Sequence, residues 1–176
     1  DGNSTLTGNA GSSVTGLISL GGGTDNVIVD GADFSGVTQI DGGAGTDSLT
    51  IRNVTASFAG GDIVNVESIK VETGANISIS GTATADVTVD GGSLSAGNSP
   101  GALNIMGNLD LGIGSKTLVE LGGLLAGINY DQIDVEDNLS TGATEGIATL
   151  DDGTIFDVDL FGGFTASLGD MFDVLI

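Results

Sequence analysis

Short apolar bursts alternating with polar residues run the length of the chain, and their period is two. Leu17-Ile18-Ser19-Leu20, Val27-Ile28-Val29, Leu49-Thr50-Ile51, Ile63-Val64-Asn65-Val66 and Ile69-Lys70-Val71 open the series. Ile77-Ser78-Ile79, Val87-Thr88-Val89, Leu103-Asn104-Ile105, Leu109-Asp110-Leu111, Ile133-Asp134-Val135 and Asp157-Val158-Asp159-Leu160 continue it. Period-two alternation, β-branched residues and flanking Gly, Asp or Asn predict short β-strands. No segment carries the i, i+3, i+4, i+7 stripe of an amphipathic helix, so the sequence reads as all-β.

Spacing separates a solenoid from a sandwich. Gly23-Thr24-Asp25-Asn26-Val27-Ile28-Val29 overlays Gly45-Thr46-Asp47-Ser48-Leu49-Thr50-Ile51 at an offset of about 22. Val14-Thr15-Gly16-Leu17 matches Val37-Thr38-Gln39-Ile40 at about 23, and Phe34-Ser35-Gly36 matches Phe58-Ala59-Gly60 at about 24. A drifting repeat holding several strands per period predicts a parallel β-helix of roughly seven or eight coils. One coil cannot bury its own apolar face, whereas a stack of coils pairs backbone edges and encloses the inward side chains. A β-sandwich with strands every 8–12 residues, roughly, is the alternative architecture.

Composition narrows the function classes. Asp and Glu number 24 against 3 Lys and Arg, with no His, for a net charge of −21. So acidic a surface repels phosphate backbones, which argues against nucleic acid as a partner. The absence of His and Cys removes thiol nucleophiles, imidazole acid–base schemes and the usual zinc sites. The chain opens at Asp1 with no signal-like segment, as expected of a piece processed from something longer. Lacking cysteine suits a cytosolic chain, and equally an exported one that must stay unlinked until it folds outside the cell.

At about residue 92 the texture changes. Gly92 to Gly101 reads as a turn-rich stretch and holds the one proline, Pro100, and beyond it come Tyr130, Phe156, Phe161, Phe164 and Phe172. Larger aromatic groups bring more buried area per residue, so residues 92–176 are expected to pack better than the Gly/Asp-rich coils of residues 1–91. Within the second part, Ser95-Ala96-Gly97-Asn98-Ser99-Pro100-Gly101, Leu118-Val119-Glu120-Leu121-Gly122 and Tyr130-Asp131-Gln132-Ile133-Asp134-Val135 follow one another. Gly163-Phe164 and Gly169-Asp170-Met171-Phe172-Asp173-Val174-Leu175 close the series. In order and spacing these segments resemble the end of the passenger region of bacterial autotransporters and related secreted β-helical adhesins. The resemblance covers about half the chain, and residues 21–51 look like the Gly-Asp coils upstream in such passengers. It implies a right-handed parallel β-helix, secreted or held at the outer membrane of a Gram-negative bacterium. It further implies C-terminal coils that act as a folding nucleus, and a role in adhesion, aggregation or display of a distal head. The partners it implies are a receptor or glycan on a host or neighbouring cell, an outer-membrane translocator or anchor encoded beyond Ile176, and further copies of the chain. No catalytic residue carries over, because the shared motifs are turn and coil signatures.

Two candidate chemistries remain. Gly42-Gly43-Ala44-Gly45-Thr46-Asp47-Ser48-Leu49 fits the Gly-Gly-x-Gly-x-Asp-x-(apolar) pattern that binds calcium in β-rolls. Asp41, Gly43, Gly45 and Asp47 are the calcium candidates, since calcium takes several carboxylate and carbonyl oxygens and glycine lets carbonyls converge. Only one full copy exists, Gly21-Gly22-Gly23-Thr24-Asp25 being shortened, so a plain Gly-Asp turn with no bound cofactor is the expectation. Among the acids, Asp151-Asp152, Glu136-Asp137 and Asp157/Asp159 lie closest together, and two carboxylates suffice for glycoside hydrolysis. Asp157 and Asp159 share one strand face, the arrangement expected of a solvated surface above inward Phe156, Val158 and Leu160. The expected function is therefore a non-catalytic stalk or passenger segment of a secreted adhesin. A calcium-dependent binding module and a glycan-active β-helix enzyme are the competing classes.

Overall fold

The computed structural model describes residues 2–97, 100–138 and 146–176. Among them there is no helix, and every pair of named strands is parallel. The chain winds as a three-sided β-solenoid. One long face stacks Thr5–Asn9, Asn26–Asp30, Ser48–Arg52, Ser68–Glu72, Asp86–Asp90, Leu109–Leu111 and Ala148–Leu150. A second face stacks Thr55–Phe58, Asn76–Ile79, Ser93–Ala96, Lys116–Leu121 and Ile155–Leu160. The third is built from Gly81–Ala83, Ala102–Met106 and Gln132–Glu136 in the later coils, and from Ser13–Ser19, Asp33–Asp41 and Ile63–Val64 in the earlier ones.

The period-two pattern dictates the core. Val27, Leu49, Ile69, Val87 and Leu109 occupy successive rungs of the long face, and Val29, Ile51, Val71, Val89 and Leu111 form a second column beside them. All ten side chains are at most 1% exposed. On the outward side of this face, polar residues interact along the stack. Arg52 Nε lies 3.0 Å from Asp30 and its Nη1 3.4 Å from Glu72. Lys70 Nζ lies 3.0 Å from Glu72 and 3.1 Å from Asp90. Lys116, the remaining cation, lies 3.1 Å from Asp157.

The corner leaving the long face needs a left-handed residue. Gly31, Gly74 and Gly91 supply it with φ of 72°, 81° and 74°. Asn53 takes the same role at φ 55°, and its side-chain amide donates to Asp30 Oδ1 at 2.7 Å. Asparagine is among the few non-glycine residues that adopt this conformation readily.

Several expectations from the sequence need correcting. About five coils carry the second face, fewer than seven or eight, because the later coils are long: Asp131 reaches Gly101 across 30 residues and Ile147 reaches Asn108 across 39. Dividing the chain length by 22 ignores these loops. The stretch after residue 92 contains a strand, Ser93–Ala96, whose Leu94 and Ala96 are fully buried; Asn98 and Ser99 of that segment lie outside the described residues. The 23-residue match is off by one residue, since Ile18, not Leu17, pairs with Ile40 after a register shift. Ile18 is buried while Leu17 is 60% exposed. The aromatic-rich part is not the better-packed one. Leu150, Val158, Leu160 and Phe161 of the last coil are between 41% and 53% exposed, because no further coil covers their inward positions.

Candidate functional site

Where the chain enters the long face, an acid precedes three successive strands: Asp25 before Asn26, Asp47 before Ser48, and Glu67 before Ser68. These carboxylates form a column that ties coil to coil. Asp25 Oδ1 accepts the Ser4 N–H at 2.5 Å, Asp47 Oδ1 accepts the Asp25 N–H at 2.7 Å, and Glu67 Oε2 accepts the Asp47 N–H at 2.7 Å. Asp25 and Asp47 are each 1% exposed. Their Oδ2 atoms, equally buried, have no hydrogen-bond partner.

The glycine corner beside this column is packed backbone on backbone. Gly22–Gly23 pairs with Ala44–Gly45, the Ala44 N–H donating to Gly21 O at 2.7 Å. Gly43 sits at φ 99°, and a Cβ there would lie 1.9 Å from Gly21 O. Glycine is required at this contact, which explains the Gly-Gly-x-Gly pattern without recourse to a ligand. Of the four calcium candidates, Gly43, Gly45 and Asp47 share this corner, whereas Asp41 turns aside to accept the Asn65 side-chain amide at 2.8 Å. Sequence reasoning singled out Asp47 and aligned Asp25 with it, but missed Glu67. The signal that finds all three is an acid immediately before an apolar alternating run.

A second group of carboxylates lies near the C-terminal end. Asp131 is 3% exposed and accepts the Gly101 N–H at 2.7 Å and the Glu120 N–H at 2.9 Å. Burial raises its pKa above the ordinary carboxylate value, against the pull of the two hydrogen bonds, and the nearby Glu120 charge adds to the rise. Asp131, Glu120, Asp157 and Asp159 line a pocket of about 340 Å³ with Ser95 and Leu118. Asp157 and Asp159 pair in register with Leu118 and Glu120 on the outward face, as the alternation predicts. Both Asp131 oxygens are engaged by backbone donors, so this side chain clamps the loop before it to two coils. Asp151 and Asp152 lie in an exposed turn, away from the lining of that pocket. Among the described residues no three acids gather closely enough to hold a metal by side chains alone.

No family model, no curated protein and no solved structure matches this chain.

Proposed function

We propose that the chain is a non-catalytic structural segment, a stalk or passenger portion, of a secreted or cell-surface adhesin of a Gram-negative bacterium. One observation carries the reading: the three cations and, among the described residues, the three buried carboxylates are engaged between coils. The three cations bridge neighbouring rungs, and Asp25, Asp47 and Asp131 hold backbone N–H groups of other coils. A stack held by such repeated contacts resists bending and separates whatever lies at its two ends. Right-handed winding is part of the proposal, supported by the strong preference of parallel crossovers for that hand. The charge of −21 and the lack of cysteine support export, since both keep an unfolded chain soluble and unlinked.

The C-terminal coils act as the folding nucleus in this reading. Support comes from a second, local core in which Val119, Leu121 and Tyr130 pack with Phe156, Phe164, Phe172 and Val174. Tyr130 meets Phe172 edge-on at 5.3 Å, and Phe164 meets Phe172 edge-on at 6.0 Å. These contacts lie wholly within residues 92–176. Circular dichroism and protease resistance on fragments 92–176 and 1–91 test this part: the first folds cooperatively and the second stays largely disordered. The reverse result removes the nucleus assignment. For the structural role, the purified chain is tested for binding to glycans and cell surfaces and for cleavage of acidic polysaccharides. Neither is expected. Saturable binding, or turnover lost in Asp157→Asn/Asp159→Asn, would replace the stalk reading with a binding or catalytic one.

A further inference from the structure

Five Asp-Gly pairs punctuate the chain: Asp1-Gly2, Asp30-Gly31, Asp41-Gly42, Asp90-Gly91 and Asp152-Gly153. This dipeptide carries a chemistry of its own. The backbone nitrogen of the glycine can attack Cγ of the aspartic acid, because no side chain on the glycine crowds the approach. A C–N bond forms, one carboxyl oxygen leaves as water with the amide and carboxyl protons, and a cyclic imide closes. Water then opens the ring at either carbonyl. Opening at Cγ restores aspartate. Opening at the backbone carbonyl routes the chain through the side chain, as an isoaspartate with an extra main-chain atom. The ring closes only where the peptide joining the two residues can rotate and the carboxyl is free to meet it.

Stacking holds three of these pairs fixed. The Gly31 N–H donates to Arg52 O at 3.1 Å, while Asp30 accepts the Asn53 side-chain amide at 2.7 Å and meets Arg52 Nε at 3.0 Å. The Gly42 N–H donates to Val64 O at 3.1 Å, and Asp41 accepts the Asn65 side-chain amide at 2.8 Å. Gly91 forms a β-bridge with Glu72, and Asp90 meets Lys70 Nζ at 3.1 Å. Space is short as well. The nearest atom to a Cβ built on the glycine would lie 3.2 Å away at Gly31, 2.0 Å at Gly42 and 2.6 Å at Gly91. Asp1 lies outside the described residues.

Asp152-Gly153 differs on each count. The pair forms the middle of the turn from Asp151 to Thr154, closed by the Thr154 N–H on Asp151 O at 3.1 Å. Gly153 stands at φ 98°, the third place of a type II turn, which favours glycine. The ends of the turn are anchored, the Asp151 N–H and the Thr154 hydroxyl donating to Leu111 O at 2.9 and 2.8 Å. The middle peptide takes no part in the closing hydrogen bond, so it can rotate without breaking it. Among the described residues nothing engages the Gly153 N–H or the Asp152 carboxylate, and both residues are exposed. A Cβ on Gly153 would meet nothing closer than Ile113 Cγ2 at 3.9 Å. We propose that Asp152-Gly153 is a self-modification site, where the folded chain converts aspartate to isoaspartate through the cyclic imide while the three stacked Asp-Gly pairs are spared. The extra main-chain atom then falls in the turn between Ala148–Leu150 and Ile155–Leu160 of the last coil. This site and the structural role proposed above do not depend on each other.

The test holds the full chain folded in near-neutral buffer for several weeks, then digests it for site-resolved peptide mapping. Isoaspartate is read by elution against synthetic isomers and by methylation with an isoaspartyl carboxyl methyltransferase. The imide is read as a peptide lighter by one water. In the folded chain isoaspartate accumulates at Asp152 at least about tenfold faster than at Asp30, Asp41 or Asp90, because those pairs react only after a local opening. In denaturant, where the stacking contacts are gone, the four sites come within about threefold of one another. Asp152→Glu, which would have to close a larger ring, loses the modification, and Asp151→Glu keeps it. The proposal is overturned if the excess at Asp152 is no larger in the folded chain than in denaturant, since local sequence alone would then set the rate. It is equally overturned if Asp152→Glu carries as much isoaspartate in this turn as the parent, which would place the reaction at Asp151. Both substitutions lie in an exposed turn, and the folded-to-unfolded comparison on the unaltered chain decides without either.

Discussion

Truncating one apolar rung in the middle of the stack should cost far more than the same truncation at its end. Ile69 is 1% exposed and sits between Leu49 and Val87 on the adjacent rungs of the long face. Ile69→Ala removes three carbons, which at ~0.8 kcal/mol per buried methylene is about 2.4 kcal/mol of transfer free energy. The strands above and below are each hydrogen-bonded to the strand that carries Ile69 and cannot collapse into the gap, so a cavity term brings the total to about 3–5 kcal/mol. Leu150 ends the neighbouring column above Leu111 and is 47% exposed. Leu150→Ala loses about half that transfer term and leaves an opening that water fills, for about 1 kcal/mol. Urea unfolding reads both: the midpoint falls strongly for Ile69→Ala and slightly for Leu150→Ala, with the slope unchanged. Equal losses at the two positions would mean that the columns do not form a continuous core, and the stacked-coil reasoning would fail.

Three further outcomes follow from individual contacts. Gly43→Ala must place a methyl group against Gly21 O at φ 99°, so it should lose more than about 2 kcal/mol, mostly local strain, seen as early protease cleavage in the first coils. Asp131→Asn puts an amide where two N–H donors point and should cost about 1–3 kcal/mol; its pKa is raised in the folded state, so its ionisation is disfavoured by folding. The stability that this group contributes is present below the unfolded value and declines as pH rises through the folded one, and the parent–variant difference in melting temperature should shrink over that window. Asp30 has the opposite sign: hydrogen bonds from Asn53 and Arg52 lower its pKa, so its contribution is present above the ordinary carboxylate pKa and is lost on acidification through the lowered value. Arg52→Met should lower the melting temperature in dilute buffer and much less in 1 M-range salt, where screening falls to about 3 Å.

How much of this could be read beforehand depended on whether a residue's role was local or arose from stacking. Val27, Val29, Leu49 and Ile51 recur at every second position of their strands, and the 22-residue overlay of Asp25 on Asp47 matches the observed register. Ser93–Ala96 was hidden because Ser, Ala and Gly read locally as a turn; its burial comes from Ile77 and Ile79 on one side and Thr117 on the other. The exchange of Leu17 for Ile18 comes from a register shift inside a strand, which no alternation count contains. At the site, Asp47 was legible through its glycines and Asp25 through the repeat. Glu67 was not, because its coil is 20 residues long and a longer side chain makes the reach. The exposed apolar residues at the last coil follow from position in the stack, not from composition.

The in-register parallel stack is tested most directly by cross-linking on the second face, in a chain with no cysteine of its own. Ser57 and Ser78 are paired rungs pointing outward, at a Cα spacing of about 5 Å that suits a disulfide. Ser57→Cys/Ser78→Cys should form an intramolecular disulfide nearly completely under mild oxidation and keep the parent's circular dichroism. Ser57→Cys/Asn76→Cys, offset by two residues along the strand, should form it slowly and incompletely. Equal yields from the two pairs, or a faster reaction in the offset pair, would contradict the stacking of coil on coil on which the rest of the account stands.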